Sequence, residues 1–184
     1  MSVTGRARAA VVCATGLAIG VLAIGAGVRP PPPQPGEEAR AAFEALKGLE
    51  GTWLLADEAG AATDQVGSIY HVTAGGSALV ETMFPGAEHE MVTVYYVERD
   101  VLKMTHYCML GNRPVLTSAS PTVHEMSFEC SGAECCAPER HMHAAVITIV
   151  DESHVTTTWS GSDDNHGDPH VVFQLIRKGD DAPG

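Results

Sequence analysis

The chain has 184 residues, of which 45% are apolar, 5% aromatic and 18% charged, which is enough for one packed domain and too few for two. All 23 acidic residues lie from Glu37 onward, where eight basic residues oppose them, so residues 37–184 carry a formal net charge of −15 with histidine neutral. Because binding to a phosphate backbone requires a positive surface, this balance excludes nucleic acid as an expected partner.

The first 28 residues predict export. Arg6 and Arg8 precede an uncharged apolar run, residues 9–28, that is about long enough to cross the hydrocarbon core of a bilayer. Positive charge on this flank favours its retention in the cytoplasm and translocation of the rest of the chain. We therefore predict that residues 1–28 are a signal peptide or an uncleaved anchor that makes the membrane a partner. The expected location is a bacterial cell envelope, periplasmic or extracellular and, with an anchor, attached to the inner membrane.

Residues 29–36 read R-P-P-P-P-Q-P-G and predict an extended linker, because proline fixes φ and lacks a backbone donor. The next stretch, residues 37–47, is rich in helix formers and has acidic residues at its start. Phe43 and Leu46 share one face of it, and Gly48 is expected to end it. The folded domain is therefore expected to span residues 37–184 and to begin with one short helix.

After this helix the pattern changes to period two, with β-branched runs separated by turn residues. Ten such runs are predicted to be strands: 52–57, 66–73, 77–84, 89–97, 101–109, 114–119, 124–130, 140–150, 154–160 and 170–178. Several connections, such as residues 98–100, are too short for crossover helices, so neighbouring strands are expected to pair antiparallel. An open sheet of this kind has two unpaired edges, and closure removes both. We predict an all-β fold, an antiparallel up-and-down barrel of about ten strands, with a two-sheet sandwich as the alternative.

Two further features resemble a known superfamily. The helix is followed by L-E-G-T-W, which contains Gly51 and Trp53, and the last predicted strand ends in F-Q-L-I-R with Arg177. This combination resembles the calycins, the superfamily of lipocalins and fatty-acid-binding proteins. The resemblance implies that Trp53 plugs the closed end of a barrel, that Arg177 lies across its ring in a cation–π contact, and that both residues are structural.

The segment T-H-Y-C-M-L-G-N-R-P, residues 105–114, and the H-M-H triplet, residues 141–143, are similar to an uncharacterised group of bacterial secreted lipocalin-like proteins. The resemblance extends over residues 46–178 and implies no activity. Ten-stranded calycins include nitrobindin-like haem proteins, but no haem-ligand motif of that group matches this chain residue by residue.

Alternation along the strands assigns side chains to the interior. In the run 101–109, Met104, His106 and Cys108 share the more apolar face, so we place them inside. Glu81 in the interior would require a partner, which a histidine could supply. The candidate ligand-binding residues are His106, Cys108, Met104, Tyr95, Glu81 and His143.

The histidines also allow a metal site. His141 and His143 form H-x-H on one strand, so both point to one side and could approach one ion. His106 is the candidate third ligand and Glu81 a candidate fourth. A metal ion or haem is therefore the alternative cofactor prediction.

The cysteines of the domain allow a local disulfide if the domain is exported. Cys130 and either Cys135 or Cys136 flank a short turn, and a bridge from Cys130 to Cys135 is the favoured pairing. The alternative is a zinc site made by these cysteines and H-x-H. Cys108 is expected to be a buried thiol.

The sequence contains no G-x-S-x-G elbow, no phosphate-binding glycine loop, no H-E-x-x-H helix and no dinucleotide fingerprint. No catalytic residue is therefore predicted, and binding is favoured over catalysis. The predicted function is an exported barrel that binds a small, largely apolar molecule in its interior. The alternative is a metal- or haem-binding protein, with or without catalysis, that uses the inward histidines.

Overall fold

A computed structural model describes residue 1 and residues 36–131, 140–161 and 170–179. The predicted export segment and most of the proline linker, together with Cys135 and Cys136, lie outside these residues. Within them, no helix combines the length and the apolar character needed to cross a bilayer.

The described residues form one α-helix and ten β-strands. They are α1 Glu37–Lys47, β1 Gly51–Ala56, β2 Ala62–Thr73, β3 Ala78–Met83, β4 Met91–Glu98, β5 Val101–Tyr107, β6 Val115–Ser118, β7 Glu125–Cys130, β8 Met142–Ile149, β9 His154–Gly161 and β10 His170–Arg177. The helix has the predicted bounds. Every predicted strand is present, with ends shifted by a few residues, and the largest shift is at β2.

The ten strands form a closed barrel. Each strand pairs antiparallel with its neighbours in the chain, and β1 pairs with β10. The closing register places Trp53 opposite Arg177 and Leu55 opposite Leu175. Both sheet edges are thereby satisfied by backbone hydrogen bonds. The predicted barrel is confirmed, and the sandwich alternative is wrong.

Alternation fills the barrel interior with large side chains. On β5, Leu102, Met104 and His106 are all buried, as the sequence predicts. The other fully buried large side chains are Trp53, Trp159, Tyr70, Tyr95, Phe128, Leu46, Leu79, Leu116, Met126 and Ile147. Most of the barrel is therefore a packed core, and room for a ligand is left at one end.

The helix covers the other end. Its buried face consists of Ala39, Ala42, Phe43 and Leu46, which pack into the main core cluster. Two acidic residues in the first turn and Lys47 in the last complement the helix dipole. An amphipathic helix of this length gains most of its stability from such packing rather than from propensity.

Trp53 and Arg177 join the helix end to the barrel. The Trp53 ring is fully buried, and its Nε1–H donates to the Leu49 carbonyl oxygen at 2.7 Å. The Arg177 guanidinium carbon lies 4.4 Å from the Trp53 ring centroid. A cation over an indole face at this distance is attracted by the ring quadrupole.

The same guanidinium also donates three hydrogen bonds to backbone carbonyls. Nε donates to Glu152 at 2.8 Å, Nη1 to Glu50 at 2.9 Å and Nη2 to Gly48 at 2.7 Å. One side chain thus connects the end of β10, the turn between β8 and β9, and the segment that follows α1.

Gly51 is required by this arrangement. Its φ is 127°, a region that side chains rarely adopt, and an added Cβ would lie 3.3 Å from Arg177 Nη1. Gly60 also has a positive φ, 80°, but an added Cβ there would meet nothing within 4 Å.

We expect Gly51→Ala to lower the free energy of unfolding by about 3 kcal/mol and Gly60→Ala by about 1 kcal/mol, since only the first combines an unfavourable φ with displacement of Arg177. Urea denaturation followed by circular dichroism measures both. Equal losses in the two variants would show that the contact with Arg177 is unimportant.

Candidate functional site

A cavity of about 420 Å³ lies at the end of the barrel opposite α1. Its walls come from the ends of β3, β5 and β9 and from the starts of β4, β8 and β10. Apolar side chains dominate these walls, including four methionines and two aromatic rings: Met83, Met91, Met109, Met142, Trp159 and Phe173. The site can therefore enclose a small molecule with little polar surface.

His106 is the most buried polar side chain of this wall, with 1% of its surface exposed. It lies on β5 opposite Thr93 of β4, and Thr93 Oγ1 is 2.9 Å from His106 Nδ1. Burial lowers the pKa of His106 to about 4, because desolvation disfavours the imidazolium. The imidazole is therefore neutral at pH 7, and its buried Nε2 has no hydrogen-bond partner among the residues that the structure describes.

Trp159 of β9 lies beside His106, with ring centroids 4.8 Å apart and planes inclined at 42°. The indole is 2% exposed, and no residue in the described ranges gives its buried Nε1 a hydrogen-bond partner. Trp159 was not among the site residues predicted from the sequence. The signal that could have found it is the alternation of Val155, Thr157 and Trp159, all three of which are buried.

The segment of residues 105–114 forms the end of β5 and the tight turn after it. Cys108 N–H donates to Asn112 O at 3.0 Å, and Gly111 N–H donates to Cys108 O at 2.9 Å. Gly111 has a φ of 80°, which favours glycine. The Asn112 amide donates to Arg140 O at 2.8 Å. Residues 105–114 and the H-M-H triplet of residues 141–143 therefore both contribute to the cavity wall.

Glu81 lies deeper in the barrel. It is 1% exposed, and hydroxyl groups surround its carboxylate: Ser68 donates to Oε1 at 2.7 Å, Tyr70 to Oε1 at 2.8 Å and Tyr95 to Oε2 at 2.6 Å. Burial raises the pKa of Glu81, and the three hydrogen bonds oppose part of that rise. Three hydroxyl groups therefore satisfy the buried carboxyl group. The histidine partner suggested by the sequence does not.

The predicted ligand-binding residues divide between the cavity and the core. His106 and Cys108 line the cavity. Tyr95, Glu81 and Met104 are buried in the barrel and are not part of its lining. Strand alternation predicts that these side chains point into the barrel. Whether they line the cavity or lie in the packed core depends on side chains from all the strands, which alternation does not predict.

The predicted metal ligands divide in a similar way. Ligand atoms of Cys130, His141 and His143 lie within 4.8 Å of one another, and His106 is not a member of this group. His141 shares the cavity lining with His106. Cys130 is disulfide-bonded, so its sulfur is not a thiolate while that bond lasts.

No family model matches the chain, and no curated protein matches its sequence. The architecture, a closed antiparallel barrel of ten strands with one short helix, is compatible with a calycin-like barrel. Function must therefore be inferred from the cavity and from the groups that line it.

We expect the buried His106 to make stability depend on pH. Because the pKa of His106 is about 4 in the folded state and ordinarily 6.5, the unfolded chain binds the proton more readily. The free energy of unfolding should therefore fall as the pH drops from 6.5 to 4, by at most about 1.4 kcal/mol per pH unit from this residue.

Urea denaturation of wild type and His106→Gln across this range measures the effect, since the contributions of all other titrating groups cancel in the difference. The exposed His124→Gln is the matched control and should keep the wild-type slope. A His106→Gln variant with an unchanged slope would contradict the prediction.

Proposed function

We propose that this protein is an exported, calycin-like barrel that binds a small, largely apolar molecule in the cavity at the end opposite α1. The observation that supports this most directly is the cavity itself, about 420 Å³ with mainly apolar walls, in a barrel whose remaining interior is packed. Cavities of a few hundred Å³ are the ordinary size of small-molecule sites.

The composition of the cavity wall supports an uncharged ligand of variable shape. Methionine is unbranched and polarisable, so four methionines can adapt to different apolar outlines. The neutral His106 offers no charge at pH 7, and the excess of acidic residues in the domain disfavours anions.

Two observations support the location and the family. Cys130 is disulfide-bonded, and disulfides persist mainly outside the reducing cytoplasm, in agreement with the apolar segment 9–28 behind Arg6 and Arg8. The stack of Arg177 on Trp53 beside Gly51 supports the calycin assignment. We propose an envelope protein whose barrel lies in the periplasm or outside the cell.

A cavity-filling variant tests the binding proposal. Gly161 is buried at the end of β9, lines the cavity and shares its inward face with Trp159, so Gly161→Leu should fill part of the space. We expect this variant to bind the apolar dye N-phenyl-1-naphthylamine at least about tenfold more weakly than wild type, because the apolar contact area is lost. Energy transfer from tryptophan to the bound dye measures occupancy in the purified full chain.

Gly179→Leu is the matched control, since an added Cβ there meets nothing within 4 Å and Gly179 lies outside the cavity. Thermal melting establishes that both variants are folded. Equal dye binding by folded Gly161→Leu and wild type would overturn the proposal.

Metal binding is a second candidate, favoured by the cluster of Cys130, His141 and His143. One thiolate and two imidazoles suit zinc, but the thiolate exists only after a reductant, such as a phosphine, has cleaved the disulfide and both sulfurs have become thiols. We therefore infer that zinc would bind to the reduced chain only.

Zinc retained after dialysis, measured by mass spectrometry of the element with and without tris(2-carboxyethyl)phosphine, tests this candidate. We expect about one zinc ion per reduced chain, little on the oxidised chain, and loss of uptake in His143→Ala but not in the exposed His124→Ala. Equal zinc on both redox forms, or uptake that is indifferent to His143, would rule the site out.

A further inference from the structure

The His106 and Trp159 rings, which lie side by side in the cavity wall, each hold a buried nitrogen atom that nothing in the described part of the chain satisfies. His106 Nε2 and Trp159 Nε1 are shielded from solvent and lack hydrogen-bond partners, and both side chains line the cavity. Leaving a buried polar atom unpaired costs free energy, and native structures rarely do so without a reason. Two such atoms on neighbouring rings point to a polar group on the molecule that fills the cavity.

The contacts of Thr93 bear on which partner His106 Nε2 requires. Thr93 Oγ1 lies 2.9 Å from His106 Nδ1 and 3.9 Å from Met83 Sδ, so its hydroxyl can direct its proton to either atom. When the proton is directed to the sulfur, Oγ1 accepts from Nδ1–H, and Nε2 presents a lone pair. His106 Nε2 is then an acceptor, whereas Trp159 Nε1–H is a donor.

On the basis of the binding function proposed above, we propose that His106 carries its proton on Nδ1 and that the ligand carries a hydroxyl group, which donates to His106 Nε2 and accepts from Trp159 Nε1–H. A hydroxyl is the simplest uncharged group that does both. Ethers, ketones and carboxylates only accept. The ligand class is therefore a compact, otherwise apolar alcohol.

A pair of probes that differ in one hydrogen-bond donor tests this assignment. Adamantan-1-ol and 1-methoxyadamantane share one rigid apolar body, but only the alcohol can donate. We expect the full chain in lipid nanodiscs to bind the alcohol about tenfold more tightly than the ether, because the ether leaves His106 Nε2 unpaired. Calorimetry against empty nanodiscs, with free probe measured by gas chromatography, gives both affinities.

Variants separate the two nitrogens. His106→Phe keeps a ring and removes the acceptor, so the preference for the alcohol should shrink to within about twofold. Trp159→Phe removes only the donor, which both probes use, so it should weaken both severalfold and leave the preference intact. The comparison on wild type needs no variant, so it stands even if His106→Phe does not fold.

The outcomes distinguish this inference from the proposed function. A cavity that takes N-phenyl-1-naphthylamine but binds the alcohol no more tightly than the ether overturns the hydroxyl assignment and leaves apolar binding intact. Tighter binding of adamantane-1-carboxylate than of the alcohol also overturns it, because Arg140 at the cavity would then select an anion. Dye binding that is equal in wild type and Gly161→Leu removes the cavity proposal itself.

Discussion

The stack of Arg177 on Trp53 is the contact on which the closed end of the barrel depends. The guanidinium covers the indole ring and donates to three carbonyls, two in the segment that follows α1 and one in the turn between β8 and β9. Because Trp53 lies on β1 and Arg177 on β10, opposite each other in the closing register, the same residues join the two ends of the sheet. The apolar cavity lined by His106 and Trp159 lies at the opposite end of the barrel.

Glu81 and His106 are both buried in the barrel, but they differ in how many of their polar atoms have hydrogen-bond partners. Glu81 is satisfied by three hydroxyls and so belongs to the core. Among the described residues, His106 has a hydrogen-bond partner at Nδ1 and none at Nε2, where we propose that the ligand binds. Burial raises the pKa of Glu81 and lowers that of His106, because desolvation disfavours the charged form of each side chain. Since His106 is neutral at pH 7, it favours an uncharged occupant beside it.

Local pattern predicted the helix and all ten strands because runs of helix formers or of β-branched residues are separated by turn residues. The start of β2 was missed for a physical reason. Residues 62–65 are mostly exposed and show no apolar alternation, and they join the sheet through backbone pairing with β1, including Ala62 opposite Ala56. Asp57 accepts from two backbone N–H groups in the intervening turn, Ala59 and Ala61. Strand residues that pair only through their backbone, with exposed side chains, cannot be recognised from the periodicity of apolar residues.

The sequence by itself determined the antiparallel strand order, the need for closure and the inward direction of His106, because these follow from period two, short connections and unpaired edges. Only the tertiary structure decided which inward residues meet. Trp159 and His106 are 53 positions apart, and their contact depends on barrel curvature and register around the whole sheet. Alternation determines which face of the sheet a side chain lies on. The position of a cavity depends on how side chains from all the strands fill the interior together.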